Sequence, residues 1–425
     1  MKQKPSLAEI SKQVLKNLKE EVAFLSEMVK QGSVNDTASG SDQAHPEEGV
    51  ARIIKHKLLD LGLRPKYVRA RKHRPNVLVV WGPIRARRSL ALVGNMDTAK
   101  PLWGNEQVWS SGHVNEGKLY GAGALDMKGG LATYVFALKA LIDAGVDPAG
   151  QLKLAFTVDG KKDRNSNLGL RFLVKKGFKA TAALLAKPGL DKIAIGHRGG
   201  YRFKIVTRGM SVNTGRRVWE EGKKGKNAIL DMNKVIKKLS NFDLPFRPAK
   251  AFPGRVPVFT FPTKISGGKS VDFVPDYCEA WGDVRLLPGN TDLQVKMWME
   301  ERLSGLTDVD WELVDLLYAP AMEIERSNKF VQILYDQAGV ILTKKPRVEG
   351  CGPWNEAWML TCLSDTPCVA GFGPEGQDGT DPNEQEWVDI ESLRKATEVL
   401  ARTIYLYLGD VRSRKERVIE PTIPN

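Results

Sequence analysis

The chain has 425 residues, and 64 Lys and Arg against 50 Asp and Glu give it a formal net charge of +14. The length predicts two or three domains, one of them interrupted by another, and a hydrophobic content of 42% excludes a wholly disordered chain. No apolar run reaches the ~18 residues of a membrane span, and the N-terminus lacks the apolar core of a secretory signal. The 4 cysteines form no C-x-x-C pair, which indicates a reducing, cytoplasmic location.

Helices and strands alternate over the first half of the chain. The periodicity of apolar residues predicts helices at 6–30, 47–61, 128–144 and 168–176, and strands at 66–71, 76–81, 90–93, 152–158 and 182–186. Such alternation favours an α/β domain whose sheet has helices on both faces.

The character of the sequence changes near residue 196. Strands are predicted at 201–207, 256–265 and 276–286, and helices at 227–239 and 291–303. We therefore expect a small α+β domain at 198–313, inserted into a larger α/β domain that is formed by residues 1–197 and 314–425. In the last part of the chain, helices at 329–338 and 391–408 flank a strand at 367–371.

A strongly basic segment covers residues 64–88. It contains nine Lys and Arg and no acid, so it could attract phosphate groups. However, the charges alternate along two strand-like stretches, which is typical of a solvated sheet edge, and no nucleic-acid-binding signature accompanies them. The sequence therefore favours a solvated surface over a nucleic-acid partner.

Two motifs at the ends of predicted elements carry a family resemblance. Asn95 and Asp97 follow an apolar strand, and Asp126 stands at the mouth of a helix within the segment 121–130. Both motifs, in this order and spacing, resemble the metal-binding signatures of the M20 metallopeptidase family, the group of carboxypeptidase G2, acetylornithine deacetylase and succinyl-diaminopimelate desuccinylase. The resemblance extends along nearly the whole chain. It implies a two-domain α/β fold in which a lid or dimerisation domain interrupts a zinc-peptidase-like domain.

The resemblance also implies a centre of two zinc ions that share a bridging Asp, with a Glu as general base. Asp126 matches the bridging Asp, and Asp97 matches the Asp that orients a His ligand. The other ligand positions are substituted: one His by Asn95, the acid before a proline by Lys187, and the C-terminal His by Thr380. Because zinc needs His, Cys or carboxylate donors, we expect no zinc cofactor.

The catalytic positions of the resemblance are substituted too. Lys161 or a neighbour stands for the general base in a segment whose register is open by a residue or more, and Asn213 stands for the lid His. Without a metal the buried Asp97 and Asp126 would lack a cation, and we hypothesise that Lys187, Lys161 or Lys162 supplies one. The alternatives are lysines that point into solvent, or a rearranged metal site that recruits a further group of residues. That group is His113, Asp159, Asp163, Asp381 and Glu384.

Asn227 and Arg285 match positions at which relatives hold the carboxylate of a substrate. A guanidinium group suits a carboxylate well, but Asn227 could equally cap a helix, and Arg285 could pair with Asp283 or Glu279. Trp354 stands where the glycine-rich substrate loop of the family has a small or acidic residue.

These observations lead to two main functional hypotheses, beside a third, weaker one in which residues 64–88 bind a nucleic acid or an acidic partner. The first is a catalytically degenerate M20-like protein without a membrane segment, which binds a small carboxylate ligand and forms a homodimer through residues 198–313. The alternative is an active metallohydrolase of peptide or N-acyl amino-acid amides that works through a rearranged site. Metal content separates the two.

Overall fold

The computed structural model describes residues 4–35, 46–160 and 168–411. The chain divides into two compact units, which are described separately below. The first comprises the described residues up to Gly196 together with Ile324–Cys351 and those from Asn355 onward, and the second comprises His197–Glu323 and Gly352–Trp354. The sequence placed the second boundary at 313, which falls inside a strand that runs to Ala319.

A mixed six-stranded sheet is the framework of the first unit. Its strands are β1 (Lys66–Arg71), β2 (Arg74–Trp81), β3 (Ser89–Asn95), β6 (Gln151–Thr157), β7 (Ala182–Leu185) and β15 (Cys368–Val369), in the order β1-β2-β6-β3-β7-β15. Strands β6, β3, β7 and β15 are mutually parallel, whereas β1 and β2 run antiparallel at one edge. The carboxyl ends of the parallel strands meet at one edge of the sheet, where α/β folds build their sites.

Helices and short strands complete the first unit. The helices are α1 (Leu7–Gln31), α2 (Glu48–Asp60), α3 (Glu106–Trp109), α4 (Gly130–Asp143), α5 (Leu168–Lys175), α9 (Lys329–Ile341), α10 (Ala357–Leu363) and α11 (Ile390–Leu408). A small sheet has the order β16-β17-β5-β4, formed by β4 (Val114–Asn115), β5 (Lys118–Tyr120), β16 (Gly376–Gln377) and β17 (Trp387–Asp389). The remaining strands are β8 (Lys192–His197) and β14 (Arg347–Cys351).

Helix α4 lies in the interior of this unit. Nearly all of its residues are buried, because it lies between α1 and α11 as well as near the sheet. A helix that is apolar all round is expected to be buried in this way. The predicted start at residue 128 is too early, since residues 124–129 form a single wider turn before α4 begins at Gly130.

The second unit is a four-stranded antiparallel sheet packed on two helices. The strand order is β10-β11-β9-β12, with β9 (Gly199–Arg208), β10 (Val258–Gly267), β11 (Tyr277–Leu286) and β12 (Asp310–Ala319). The helices are α7 (Ala228–Lys238) and α8 (Asp292–Leu303), with a short α6 (Arg217–Glu220) and strand β13 (Met322–Glu323) besides. One face of the sheet forms a core with α7 and α8, in which Tyr201, Phe203 and Val284 are buried.

The fold agrees with the α/β architecture that the sequence predicts, and the described elements include no helix long and apolar enough to cross a bilayer. The predicted elements include no counterpart of strands β8, β12 and β14, of helix α10, or of several elements of two to four residues. In β12 the burial does not follow a clean alternation, because the strand is at an edge and its register shifts between Asp315 and Leu317.

Candidate functional site

Candidate residues of the first unit lie at and just beyond the carboxyl ends of three parallel strands, β3, β6 and β7. In the register of the sheet, Asn95 at the end of β3 lies beside Thr157 of β6, and Val93 lies beside Leu185 of β7. The loops that follow these strands therefore start side by side. Asp97, Asp159 and Lys187 stand on those loops, two residues beyond the strand ends.

Asn95 and Asp97 are buried and bonded to one another. Asn95 Nδ2 donates to the backbone oxygen of Asp97 at 2.8 Å and to its Oδ1 at 3.1 Å. The backbone N–H of Gly160 donates to the same Oδ1 at 2.9 Å, and Asn35 Nδ2 donates to Oδ2 at 3.0 Å. The side chain of Asp97 is thus held in place by N–H donors from three segments of the chain.

Asp159 joins an ion-pair network that the sequence did not predict. Arg74 contacts Asp159 Oδ1 at 3.3 Å and pairs closely with Glu47, whose Oε1 also accepts the backbone N–H of Asp159 at 2.9 Å. Burial raises the pKa of Glu47 to about 7, and the charge of Asp97 adds to the rise while Arg74 opposes it. The sequence predicts that Arg74 lies on the solvated surface with the rest of the basic segment 64–88, yet its side chain is 14% exposed and belongs to this site.

Asp126 is paired with a lysine. Lys187 Nζ lies 3.1 Å from Asp126 Oδ1, and the two side chains are 21% and 28% exposed. Lys187 follows β7, and Asp126 lies in the turn before α4. This is the contact hypothesised from the sequence for Lys187, whereas Lys161, Lys162 and Asp163 lie outside the described residues.

A buried acid and a buried lysine lie next to Asp126. Glu386 accepts backbone N–H groups of Gly123 at 2.7 Å, Leu125 at 3.0 Å and Asp126 at 2.9 Å. Burial raises the pKa of Glu386 to about 7, and these N–H groups oppose the rise. Burial lowers the pKa of Lys128 to about 8, and the negative charges of Glu386 and Asp97 oppose this decrease.

Thr380 shares a cavity of about 360 Å³ with Asp126. The lining also includes Thr98, Lys100, Trp103 and Glu386. The Thr380 hydroxyl donates to Asp378 Oδ1 at 2.9 Å, which fixes a polar turn. The residues that the resemblance matches to metal ligands thus lie around one edge of the sheet in the first unit: Asn95, Asp126, Lys187 and Thr380.

The donor chemistry at these positions does not fit two zinc ions. Asn95 points its amide N–H groups at Asp97, and the ammonium group of Lys187 already neutralises Asp126. A charged ammonium cannot ligate zinc. Within the described ranges, no group of three or more His, Cys, Asp and Glu side chains is placed to hold a metal ion.

The residues proposed for a rearranged metal site are dispersed. The His113 ring stacks on Tyr120 at 4.8 Å between centroids. Asp381 accepts the backbone N–H of Asn383, and Glu384 pairs with Gln377. Among the members of that group that the structure describes, Asp159 lies in the hydrogen-bonded cluster with Asp97 through Asn35.

The second unit contains Asn213, Asn227 and Arg285. Asn213 is held in a turn, with its Oδ1 accepting the backbone N–H of Gly215 at 3.0 Å. Asn227 caps α7, since its Oδ1 accepts the N–H groups of Ile229 and Leu230. Arg285 Nε lies 2.7 Å from Asp283 Oδ1.

Asn227 and Arg285 are not neighbours within one chain. Asn227 precedes Ala228, whose backbone oxygen accepts from Thr207 on β9, whereas Arg285 pairs with Gly200 on the same strand. Seven residues of an extended strand span roughly 23 Å. The cap fixes Asn227 at the far end of the sheet from Arg285 within one chain. That both residues bind the carboxylate of a substrate stays a prediction.

Sequence comparison identifies the family. The sequence profile of peptidase family M20/M25/M40 matches residues 91–406. The chain is 28% identical over 235 residues to an N-formyl-4-amino-5-aminomethyl-2-methylpyrimidine deformylase of Bacillus subtilis, a match that covers 52% of this chain and about half (53%) of the relative. It is 26% identical over 268 residues to a succinyl-diaminopimelate desuccinylase of Cereibacter sphaeroides, covering 60% of this chain and 67% of that protein.

Solved structures agree on the fold. An M20 family metallo-carboxypeptidase from Sulfolobus solfataricus superposes with a TM-score of 0.73 at 18% identity, covering 91% of this chain and 99% of the other. A dinuclear metal binding peptidase of the M20 family from Bacillus subtilis gives a TM-score of 0.67 at 15% identity, covering 92% and 98%. The chain therefore belongs to peptidase family M20/M25/M40, and the two-domain architecture predicted from the motifs is confirmed.

Proposed function

We propose that this protein is a catalytically degenerate member of family M20 that binds a small carboxylate ligand instead of hydrolysing an amide. The observation that carries the proposal is the ion pair between Lys187 and Asp126. An ammonium group at hydrogen-bond distance from the carboxylate supplies the charge that a metal ion would otherwise supply.

The surroundings of this ion pair support the same proposal. Asn95 and the backbone of Gly160 donate to Asp97, so that the carboxylate is satisfied without a metal-bound His. A general base would need a carboxylate within reach of an activated water. The carboxylate of Asp159 is already engaged by Asn35 and Arg74.

The ligand and the assembly are proposed from the second unit. The half-exposed guanidinium group of Arg285 offers a binding point for an anionic ligand. We further propose a homodimer formed through residues 198–313. A cytoplasmic location follows from the cysteine content.

Metal analysis tests the proposal. The full chain, purified without chelators and assayed by mass spectrometry for zinc, should hold far less than one equivalent and should show no amidase activity on N-succinyl and N-formyl amides after zinc is added. The variant Lys187→Glu should increase retained zinc, since it places a second carboxylate beside Asp126. The variant Lys175→Glu, at an exposed position on α5, is the control for charge alone. Two equivalents of zinc in the unmodified protein, together with amide hydrolysis, would establish the metallohydrolase alternative.

A further inference from the structure

One end of the sheet in the second unit carries an accumulation of arginines. Tyr201, Phe203 and Val284 point into the core with α7 and α8, so the alternate positions on β9 and β11 point to the opposite face of the sheet. Arg202 of β9 and Asp283 of β11 are directly paired on that face. Two residues further along β11, Arg285 is paired with Gly200.

The arginines converge on one carboxylate. Asp283 is contacted by Arg285 Nε at 2.7 Å and by Arg202 Nε at 3.2 Å, one on each carboxylate oxygen. Arg198 Nη2 donates to the backbone oxygens of Val256 at 2.8 Å and Arg285 at 3.1 Å. Arg198 is therefore held at the same strand ends by main-chain contacts rather than by an acid.

The guanidinium group of Arg255 is the fourth, and it is close enough to Arg198 to influence the pKa of Arg198. Burial lowers the pKa of Arg198, and the positive charges of Arg255 and Arg285 lower it further, with Asp283 opposing. In addition, Arg198 Nε is buried and has no hydrogen-bond partner in the described part of the chain. We call Arg198, Arg202, Arg255, Arg285 and Asp283 the arginine patch. One carboxylate against four guanidinium groups leaves a local surplus of positive charge.

An indole ring borders the arginine patch. A Cβ atom placed on Gly200 would lie 2.8 Å from Trp354 Cδ1 and 2.9 Å from its Nε1, so the half-buried ring rests directly on the backbone of Gly200. Gly200 is the residue opposite Arg285 in the strand register. A flat apolar surface thus adjoins the guanidinium groups, an arrangement that suits stacking of a planar ring.

We propose that the arginine patch and Trp354 bind a small ligand that carries a doubly charged anionic group, such as a phosphate monoester, next to a planar ring. A single carboxylate would leave most of the surplus charge uncompensated, whereas a dianion with several acceptor oxygens can engage two or three guanidinium groups. This inference rests on the proposed role of Arg285 in anion binding, and it replaces the single carboxylate of the proposed ligand by a dianionic group.

Calorimetric titration of the full chain with phenyl phosphate, benzoate and inorganic phosphate tests the proposal. Phenyl phosphate should bind with a Kd of roughly 1 mM or tighter and about tenfold more tightly than benzoate. Arg285→Gln should weaken phenyl phosphate binding about tenfold. Trp354→Ala should weaken phenyl phosphate binding while leaving inorganic phosphate unaffected, because only the former has a ring to stack.

The variant Arg347→Gln is the matched control, since this exposed arginine lies in the first unit, where it pairs with Asp191. It removes the same charge and should leave binding unchanged. Equal weakening by Arg347→Gln and Arg285→Gln would reduce the effect to overall charge and overturn the proposal, as would undetectable binding of phenyl phosphate. Benzoate binding as tightly as phenyl phosphate would overturn the dianion while leaving a carboxylate ligand intact. The zinc and amidase measurements test the proposed loss of catalysis, and their outcome does not depend on whether phenyl phosphate binds.

Discussion

At the scale of single residues, a few charged and polar side chains define the site at the carboxyl edge of the sheet. Lys187 contacts Asp126 at 3.1 Å, and Asn95 donates to Asp97. These four residues could be singled out from the sequence because the motifs that contain them resemble those of the family in order and spacing. The contributions of Glu47, Arg74 and Glu386 could not be read, since these residues reach the site through tertiary contacts.

A buried acid elsewhere gives the first unit a pH-dependent stability. Glu21 on α1 is completely buried and accepts from Thr397 Oγ1 at 2.5 Å. Burial raises the pKa of Glu21 from 4.5 to about 8, and the hydrogen bond from Thr397 opposes the rise. The folded protein therefore keeps a proton that the unfolded chain releases above about pH 4.5. The contribution of Glu21 to stability is complete below that pH and is lost as the pH rises through 8.

Glu21→Gln should remove this dependence. The amide is neutral at every pH, so we expect the variant to gain stability at pH 8 to 9, by roughly 1–3 kcal/mol relative to the unmodified protein, and to differ little at pH 5. Denaturant unfolding at both pH values, followed by circular dichroism, measures the difference. Glu27→Gln, at an exposed position of the same helix, should change stability equally at both. A gain for Glu21→Gln that is the same at pH 5 and pH 9 would contradict the explanation.

At the scale of elements, strong periodicity predicted most helices and strands within a few residues, α1 and β11 among them. For two deviations from the predicted elements, the structure shows the physical cause. Strand β12 lies at an edge with an irregular register, and the turn before α4 is shaped by the carboxylate of Glu386 from far along the chain. Neither cause leaves a local pattern in the sequence. The local sequence around Asn227 is also ambiguous, because it is compatible with both a helix cap and a ligand contact.

The cap of α7 can be tested directly. Asn227→Ala removes the acceptor for the N–H groups of Ile229 and Leu230 and should destabilise the helix start by about 1 kcal/mol. Hydrogen exchange of those two amides should accelerate accordingly. Asn227→Asp retains an acceptor oxygen and should preserve their protection. Phenyl phosphate affinity should be unchanged in both variants; a loss in Asn227→Ala would instead place this residue in contact with the ligand.

At the scale of the whole molecule, the net charge of +14 has several origins. Lys187 beside Asp126 contributes part of it, and the arginine patch contributes another part. The basic segment 64–88 is divided between a surface strand and the interior, because Arg74 turns inward to Glu47 while Arg69 packs over Tyr67. Composition alone could not distinguish these environments.

The proposed dimer belongs to this scale as well. Helix α8 exposes Leu293 and Met297, at 61% and 60%, and Lys296 joins this helix to the edge strand β12 through Asp315 at 2.7 Å. Burial of these apolar side chains against a second copy would stabilise a dimer. Met297→Glu should therefore shift the mass measured by light scattering from two chains towards one. Met210→Glu, at a position 48% exposed in the same unit, should not. A single-chain mass for the unmodified protein would contradict the proposed assembly.

The close contact between Gly160 and Asn95 couples two loops of the first unit. A Cβ atom on Gly160 would lie 2.4 Å from Asn95 Cβ and 2.6 Å from its Cγ. Asn95 is itself held by its hydrogen bonds to Asp97, and the backbone N–H of Gly160 donates to the same carboxylate. A larger side chain at residue 160 would therefore displace Asn95 and disturb Asp97 as well. The glycine thus makes the conformation of the loop after β6 depend on that of the loop after β3.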